Sequence, residues 1–392
     1  MREAAAIGQE DAFYSGFAGP LWHLDETYLD AIVSTYYREY FRRFLSQYEA
    51  KLECSSSGLA DLIEQSAANL STFGTAWHYS CAGIREAVVN RVSDDDALDA
   101  AVSCAIHLLA SGVAGEFRAS SERGFRLMLQ SRLIAPTAKK IHVWRRGDSC
   151  GVMADDKSIA FPSGPNDRVS GHSNLATIQS PNIKLTLLTP EAAAHIGCPP
   201  PPQLSPDDAA LANENFLAAA HLLERYAPMF ARWVGRVLTF VSPIEAPPGL
   251  MRSGSSRQWP SVAEISFRCD AAAIAEMLVH EATHHHFNIL MMVDPVTDGS
   301  DGRLYYSPIR KCERPIEMIL LAYHAFANVL LYYRECQRAG LEDDGYCKRN
   351  EQELLPDLRE LERALETTQS LTEAGEGVWR PFRPHVARPA SL

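Results

Sequence analysis

The sequence predicts an α+β protein that is mainly α-helical. Apolar residues recur at helical spacing through the first third of the chain and again in its second half. Between these parts, residues 139–188 contain short β-prone segments separated by Gly, Pro, Ser and Asn. Four consecutive prolines at 199–202 predict a stiff connector, because proline cannot enter a helix interior. These features divide the chain into a helical N-terminal region (1–135), a β-containing middle segment (136–202) and a C-terminal domain (203–392).

The helical elements of the N-terminal region have recognisable starts. The first predicted helix covers residues 26–52, with Asp25 as its N-cap. The segments "LADLIEQSAANL" and "DDDALDAAVSCAIHLLASGVAGEF" are also helical in pattern. Three aspartates at 94–96 favour a helix start, since carboxylates stabilise the positive end of the helix dipole. In the middle segment, "KKIHVWR", "CGVMA" and "IKLTLLT" predict strands.

The C-terminal domain is predicted to combine helices with a few strands. A helical region covers roughly 207–238 and is followed by the strand candidates "VLTFVSP" and "VAEISFR". Asp270 is a suitable N-cap for the next helix. After a long loop at 293–314, Pro315 favours the start of another helix. A charged helix is predicted near 350–368.

Composition narrows the class of protein. The 392 residues are 46% hydrophobic and 22% charged, as in ordinary globular proteins. A net charge of −12 argues against unselective binding to nucleic acid or to an anionic membrane. The nine cysteines form no C-x-x-C pair and predict reduced thiols. Without an apolar signal region at the N-terminus or a run of 18 apolar residues, we expect a cytoplasmic protein that does not enter a membrane.

The segment "AEMLVHEATHHHFNIL" (275–290) contains the metal-binding pattern His-Glu-x-x-His. On a helix, His280 and His284 lie about 40° apart around the axis, so both can face one metal ion. Glu281 lies about 100° from His280 and flanks the ion. His285 and His286 fall about 140° and 240° away, which favours a surface or hydrogen-bonding role over ligation.

A metal site of this kind needs a third ligand from another element. The helix "RPIEMILLAYHAFANVLLYY" (314–333) is apolar nearly all round and is predicted to be buried. Its polar exceptions include Glu317 and His324, which are seven residues apart and therefore share a side of the helix. We rank His324 first as the third ligand, Glu317 second, and Glu313 third.

Two kinds of metal chemistry fit this motif. In a zinc peptidase, Glu281 would be the general base that activates a metal-bound water. The downstream pattern H-x-x-G-x-x-H that extends the motif in one such group is absent, since Phe287 and Met291 occupy its Gly and last His positions. The loop "YYSPIRKCERPIE" (305–317) instead brings Arg310, Arg314 and Ser307 beside the helix pair, where they are candidates for binding a co-substrate. Arginine binds carboxylates bidentately, and iron(II) sites leave positions open for a 2-oxo acid and O₂.

Three segments carry a resemblance to a known family: "IAEMLVHEATHH", "YYSPIR…ERP" and "LLAYHAFANVLLYY". Over roughly residues 205–335, the chain resembles the HExxH-motif peptide-modification proteins, which accompany ribosomally made precursor peptides. The family is similar to, or includes, iron- and 2-oxoglutarate-dependent peptide β-hydroxylases. The resemblance implies His280, His284 and His324 as iron ligands, and Arg310 and Arg314 as the residues that bind 2-oxoglutarate.

The leading hypothesis is therefore an Fe(II)/2-oxoglutarate-dependent dioxygenase. It would hydroxylate a side chain, at Cβ, of a ribosomal precursor peptide, within a zincin-like helix pair in the catalytic domain at 203–392. Glu281 is the residue of the motif whose role this hypothesis leaves open. The alternatives are an HExxH zinc metallopeptidase and a peptide-binding protein whose metal is structural.

Overall fold

Helices predominate in the structure, a computed structural model, and make up 56% of it. The described residues are 13–22, 25–70, 73–129, 132–155, 157–160, 173–247, 250–342 and 345–389. The interpretation of the N-terminus as lacking a signal sequence falls partly on residues 1–12, outside the described residues.

The helices predicted from the sequence are present, with shifts at their ends. The helices are α1 (Glu26–Ser55), α2 (Leu59–Asn69), α3 (Phe73–Ala76), α4 (Tyr79–Asn90), α5 (Asp94–Ala110), α6 (Pro190–Ile196), α7 (Pro206–Tyr226), α8 (Pro228–Val237), α9 (Ala271–Leu290), α10 (Ile316–Arg338), α11 (Tyr346–Thr367), α12 (Glu373–Trp379) and α13 (Arg383–Val386), with a 3₁₀ turn at Arg380–Phe382. Of these, α3, α4, α6, α12 and α13 were not predicted from the sequence.

The strands form two larger sheets and one hairpin. They are β1 (Ser56–Ser57), β2 (Gly115–Leu129), β3 (Arg132–Arg146), β4 (Ser149–Ala154), β5 (Lys157–Ala160), β6 (Ser173–Asn174), β7 (Thr177–Gln179), β8 (Lys184–Leu187), β9 (Phe240–Ile244), β10 (Ser253–Ser255), β11 (Val262–Ser266), β12 (Leu304–Ser307) and β13 (Cys312–Pro315). The first sheet has the order β1-β2-β3-β4-β5, with β6 also paired to β3, and the second has the order β10-β11-β9-β8-β7. Strands β12 and β13 pair only with each other.

Two predicted boundaries differ from the observed ones. The helical part ends at Ala110 and β2 begins at Gly115, whereas the helical region was predicted to extend to residue 135. Strands β7 and β8 belong to the same sheet as β9–β11, so the predicted boundary at 202 cuts through a sheet. Both observed boundaries follow from which strands pair, and local sequence patterns do not show this because strands distant in sequence can pair within one sheet.

Helix caps explain where the site-bearing helix begins. The Asp270 side chain accepts a hydrogen bond from the Ala273 amide at 2.8 Å, which fixes the start of α9. The observed α10 begins at Ile316, with Pro315 as its N-cap. The same capping pattern starts α1, where Asp25 accepts from the Thr27 amide at 2.9 Å.

Helices α9 and α10 pack side by side in opposite directions. Near the start of α9, the carbonyl of Ala272 accepts a hydrogen bond from Tyr332, late in α10. Further along α9, the His280 ring contacts Phe326, which is earlier in α10. Among the described residues, α10 is the helix long and apolar enough to cross a membrane, but 78% of its apolar stretch is buried inside the fold. The apolar surface of α10 is therefore used in the core.

Candidate metal centre

A cavity of about 600 Å³ opens along α9. Most of α9 is buried, and the partly accessible residues in its second half are His280, His284 and Asn288. Their four-residue spacing places them in one row along the helix. All three line the cavity, whose other walls come from β10 and the loop after it, from the β12–β13 hairpin and from α10.

His280 and His284 converge at the cavity. Their Nε2 atoms lie 3.1 Å apart, and the ring planes are nearly perpendicular at 88°. Two nitrogens bound at roughly 2.0–2.1 Å to one tetrahedral or octahedral ion would lie roughly 2.8–3.4 Å apart. The separation therefore fits two ligands of a single ion.

The protonation state of this pair also suits metal ligation. Burial lowers the pKa of His280 to about 4, helped by the positive charge of Arg310. Burial lowers the pKa of His284 to about 3, with His280 as the next contributor. Both imidazoles are consequently neutral near pH 7, and a neutral imidazole is the form that binds a metal.

Two carboxylates of α9 differ in their partners. Glu281 is 1% exposed, lines the cavity, and has an Oε2 atom with no hydrogen-bond partner. Glu276, one turn before His280, accepts a hydrogen bond from the Tyr346 hydroxyl at 2.5 Å. Burial raises the pKa of Glu276. Because a buried oxygen without a donor is costly, Glu281 is the carboxylate of the two that a bound molecule would stabilise.

Three arginines line the cavity without an ion pair to any described carboxylate. Arg310 and Arg314, predicted from the sequence, stand on the β12–β13 hairpin. Arg257, which the sequence analysis left unassigned, lies in the loop after β10. The cavity thus has positive charge on two separate walls.

Ser307 was predicted to bind the co-substrate, but the structure places it at the base of the hairpin turn. It is fully buried and does not line the cavity. Its hydroxyl accepts from the Arg310 amide at 3.4 Å, and its carbonyl accepts from the Lys311 amide at 2.7 Å. Ser307 therefore shapes the turn that presents Arg310.

His324, ranked first as the third ligand, lies outside the cavity lining. Its ring is fully buried, and Nε2 lies 3.0 Å from the Phe17 carbonyl and 2.8 Å from the Ala18 carbonyl. A carbonyl only accepts, so Nε2 carries the proton. Asn328 binds the same Ala18 carbonyl at 2.7 Å. No pattern in the sequence predicted that the segment at 13–22 would lie against this side of α10.

The other two candidates for the third ligand occupy different positions. Glu317 lines the cavity and is half-buried, whereas Glu313 is exposed on β13 and does not line it. Within the described parts of the chain, no group of three or more His, Cys, Asp or Glu side chains is close enough together to hold a metal ion. The structure thus brings together two ligand candidates and leaves the third position open.

The adjacent histidines His285 and His286 point away from the cavity. Nε2 of His285 lies 3.0 Å from the Val262 carbonyl in β11. Nε2 of His286 lies 3.2 Å from the Trp233 carbonyl in α8. The rings of His286 and Trp233 stack, with their centroids 3.4 Å apart. These bonds hold α9 against the second sheet and α8, in agreement with the hydrogen-bonding roles predicted from helix geometry.

Sequence reasoning missed three groups of cavity residues. Glu276 and Asn288 extend the His280–His284 row by one turn in each direction, and this spacing could have identified them. Arg257 and strand β10 come from a Gly- and Ser-rich segment whose approach to α9 depends on sheet pairing.

A comparison of the sequence with known proteins found no matching family model and no matching curated protein.

Proposed function

We propose that this protein is an iron(II)- and 2-oxoglutarate-dependent hydroxylase that acts at Cβ of a side chain in a ribosomally synthesised precursor peptide. The observation that carries the proposal is the convergence of two neutral imidazoles, 3.1 Å apart, in a cavity that also contains unpaired arginines. Imidazole nitrogens with free coordination positions beside them suit non-haem iron(II).

The residues present fit part of an iron site. His280 and His284 would hold the ion through Nε2. For the third protein position we favour Glu317, since it lines the cavity while His324 and Glu313 do not. Its side chain would have to turn toward the histidine pair, because no third described His, Cys, Asp or Glu lies close enough to complete a metal-holding group. With Glu317, the set would be two histidines and one carboxylate, the usual ligand set of non-haem iron oxygenases.

The arginines suit the two carboxylates of 2-oxoglutarate. Arg310 is close enough to His280 to depress its pKa, so this guanidinium reaches the region of the histidine pair. Arg314 lies across the hairpin at the register position of Tyr305 and lines the same cavity. A planar guanidinium binds a carboxylate through two parallel hydrogen bonds, which would orient the co-substrate. Bound iron would supply the oxidative chemistry that couples decarboxylation of the 2-oxo acid to hydroxylation.

Glu281 acts in this proposal as a positioning residue. Its free Oε2 would accept a hydrogen bond from a substrate amide or a water molecule in the cavity. No proton transfer to Glu281 is required. The surrounding buried side chains would limit the access of water to the reacting centre.

The direct test uses the full chain with Fe(II), 2-oxoglutarate, ascorbate and a precursor peptide encoded beside its gene. We expect the peptide to gain the mass of one oxygen atom, with one succinate released per hydroxylation. A mass gain that persists without 2-oxoglutarate would contradict the proposal. Omission of iron provides the matched control.

A zinc metallopeptidase is the second candidate, favoured by the unpartnered Glu281 oxygen beside the histidine pair. In that case Glu281 would be the general base. Metal analysis after anaerobic purification, followed by a peptide-cleavage assay, separates the two functions. If the protein is a peptidase, Glu281→Gln should abolish cleavage. If it is a hydroxylase, the same substitution should leave measurable hydroxylation.

A further inference from the structure

Strand β10 is an edge strand that borders the candidate metal centre. It pairs with β11 on one side and ends the strand order of the second sheet, so its other side has no described strand partner. All three of its residues line the cavity that contains His280 and His284. An unpaired strand edge exposes backbone donors and acceptors, which is the usual basis of peptide binding by strand addition.

The pairing register shows which backbone groups face outward. The Ser266 amide donates to the Arg252 carbonyl at 2.9 Å, which marks Arg252 and Ser266 as a hydrogen-bonded pair. Hydrogen-bonded and non-hydrogen-bonded pairs alternate in an antiparallel ladder. Gly254 is therefore bonded to Glu264, and the N–H and C=O groups of Ser253 and Ser255 point away from β11.

The side chains leave room along this edge. A Cβ atom added at Gly254 would meet only a Glu264 oxygen at 3.5 Å, so the face of the sheet on which that Cβ would lie has no other atom within 4 Å of it. Two apolar residues shortly before β10 are exposed: Leu250 is 60% and Met251 is 42% accessible. Exposed apolar side chains beside a cavity suit contact with side chains of a bound chain.

We infer that an extended peptide binds as an added strand on the outer edge of β10, through the backbone of Ser253 and Ser255, and so passes over the His280–His284 pair. This inference deepens the proposed function, because it gives the conformation in which the peptide is recognised. Main-chain pairing would supply affinity with little dependence on peptide sequence. The side chain that faces the cavity would be the one presented for reaction.

The test compares proline substitutions at the two edges of the same sheet. Ser253→Pro removes one outward N–H from β10. Gln179→Pro removes an outward N–H from β7, the opposite edge, where the bonded pairs are Ala176 with Leu187 and Ser180 with Ile183. Proline is tolerated on an edge strand when the lost N–H faces away from the ladder.

The probe is a fluorescent peptide selected from a random library on the wild-type protein, without iron or 2-oxoglutarate. We expect Ser253→Pro to weaken its binding at least about tenfold, while Gln179→Pro binds it like wild type. Equal binding by all three proteins, or failure to select any peptide, would overturn the inference. Because no turnover is measured, a failed hydroxylation assay leaves this result intact.

Two further measurements resolve the remaining outcomes. If circular dichroism shows that Ser253→Pro is unfolded, N-methylation of the probe at successive residues replaces it as the test. Loss of binding at every second position is expected, and a pattern without this period would contradict strand addition. Sedimentation velocity tests the rival occupant: a wild-type dimer that Ser253→Pro dissociates would assign the edge to a second copy of this chain.

Discussion

The two sides of α9 carry histidines from one short motif in opposite situations. On the cavity side, His280 and His284 face each other, and no backbone carbonyl of the described residues is bound to either ring. On the side that we call the anchored side, His285 and His286 each place Nε2 on the carbonyl of another element. A ring whose N–H is bonded to a carbonyl holds the helix in place. A neutral ring that faces a cavity has a nitrogen lone pair available to bind a metal ion.

The largest expected effect is that of a substitution on the cavity side. His280→Ala should lower hydroxylation by more than about 1,000-fold, because it removes a proposed iron ligand, with little change in the thermal unfolding midpoint. Iron content per folded chain and turnover would be measured together. If this variant still binds one iron per chain, His280 is not an iron ligand.

On the anchored side, the expected effect is on stability. His286→Ala removes a buried hydrogen bond and the stacking on Trp233, and should lower the free energy of unfolding by about 2–4 kcal/mol. Iron content per folded chain should stay near the wild-type value. Urea unfolding measures the first quantity. If His286→Ala has normal stability but has lost its iron, His286 serves metal binding and not stability, which contradicts the distinction between the two sides.

The third ligand is tested by a pair of substitutions in α10. Glu317→Ala should weaken metal affinity by about 10–100-fold, because it removes a proposed ligand. His324→Ala should leave the affinity unchanged and lower stability, because its ring is bonded to the Phe17 and Ala18 carbonyls. Competition with a chelator measures the affinity. The opposite result would restore His324 as the ligand.

The smallest expected effects concern the arginines on the two cavity walls. Arg310→Gln or Arg314→Gln should raise the KM for 2-oxoglutarate about tenfold by removing a charge-assisted hydrogen bond. Arg257→Gln should change the KM for the peptide instead, since Arg257 stands beside β10. Succinate release at varied concentrations of each substrate measures both constants. A raised KM for 2-oxoglutarate in all three variants would show that the arginines of both walls bind 2-oxoglutarate and form one anion site.

Elements with strong local signals were predicted well. The starts of α1 and α9 follow from Asp25 and Asp270. Strand β11 falls within its predicted segment, and β9 overlaps its own and ends one residue beyond it. The β12–β13 hairpin was taken for part of a long loop. Its strands are largely exposed and lack an apolar face, so no alternation of apolar and polar residues marks them. Strand β2 was missed for a different reason: Phe117 and Ala119, like Phe125 and Leu127, alternate with exposed residues, but the start of the strand was included in the preceding predicted helix.

The sequence by itself determined that His280 and His284 share one side of a helix, and that His285 and His286 do not. These are local properties, set by the angular period of the α-helix. Tertiary structure alone decided which histidines face a cavity, where His324 finds its partners, and that Arg257 and β10 approach α9. Those contacts join segments far apart in the chain, and they depend on sheet pairing and helix packing that no local pattern specifies.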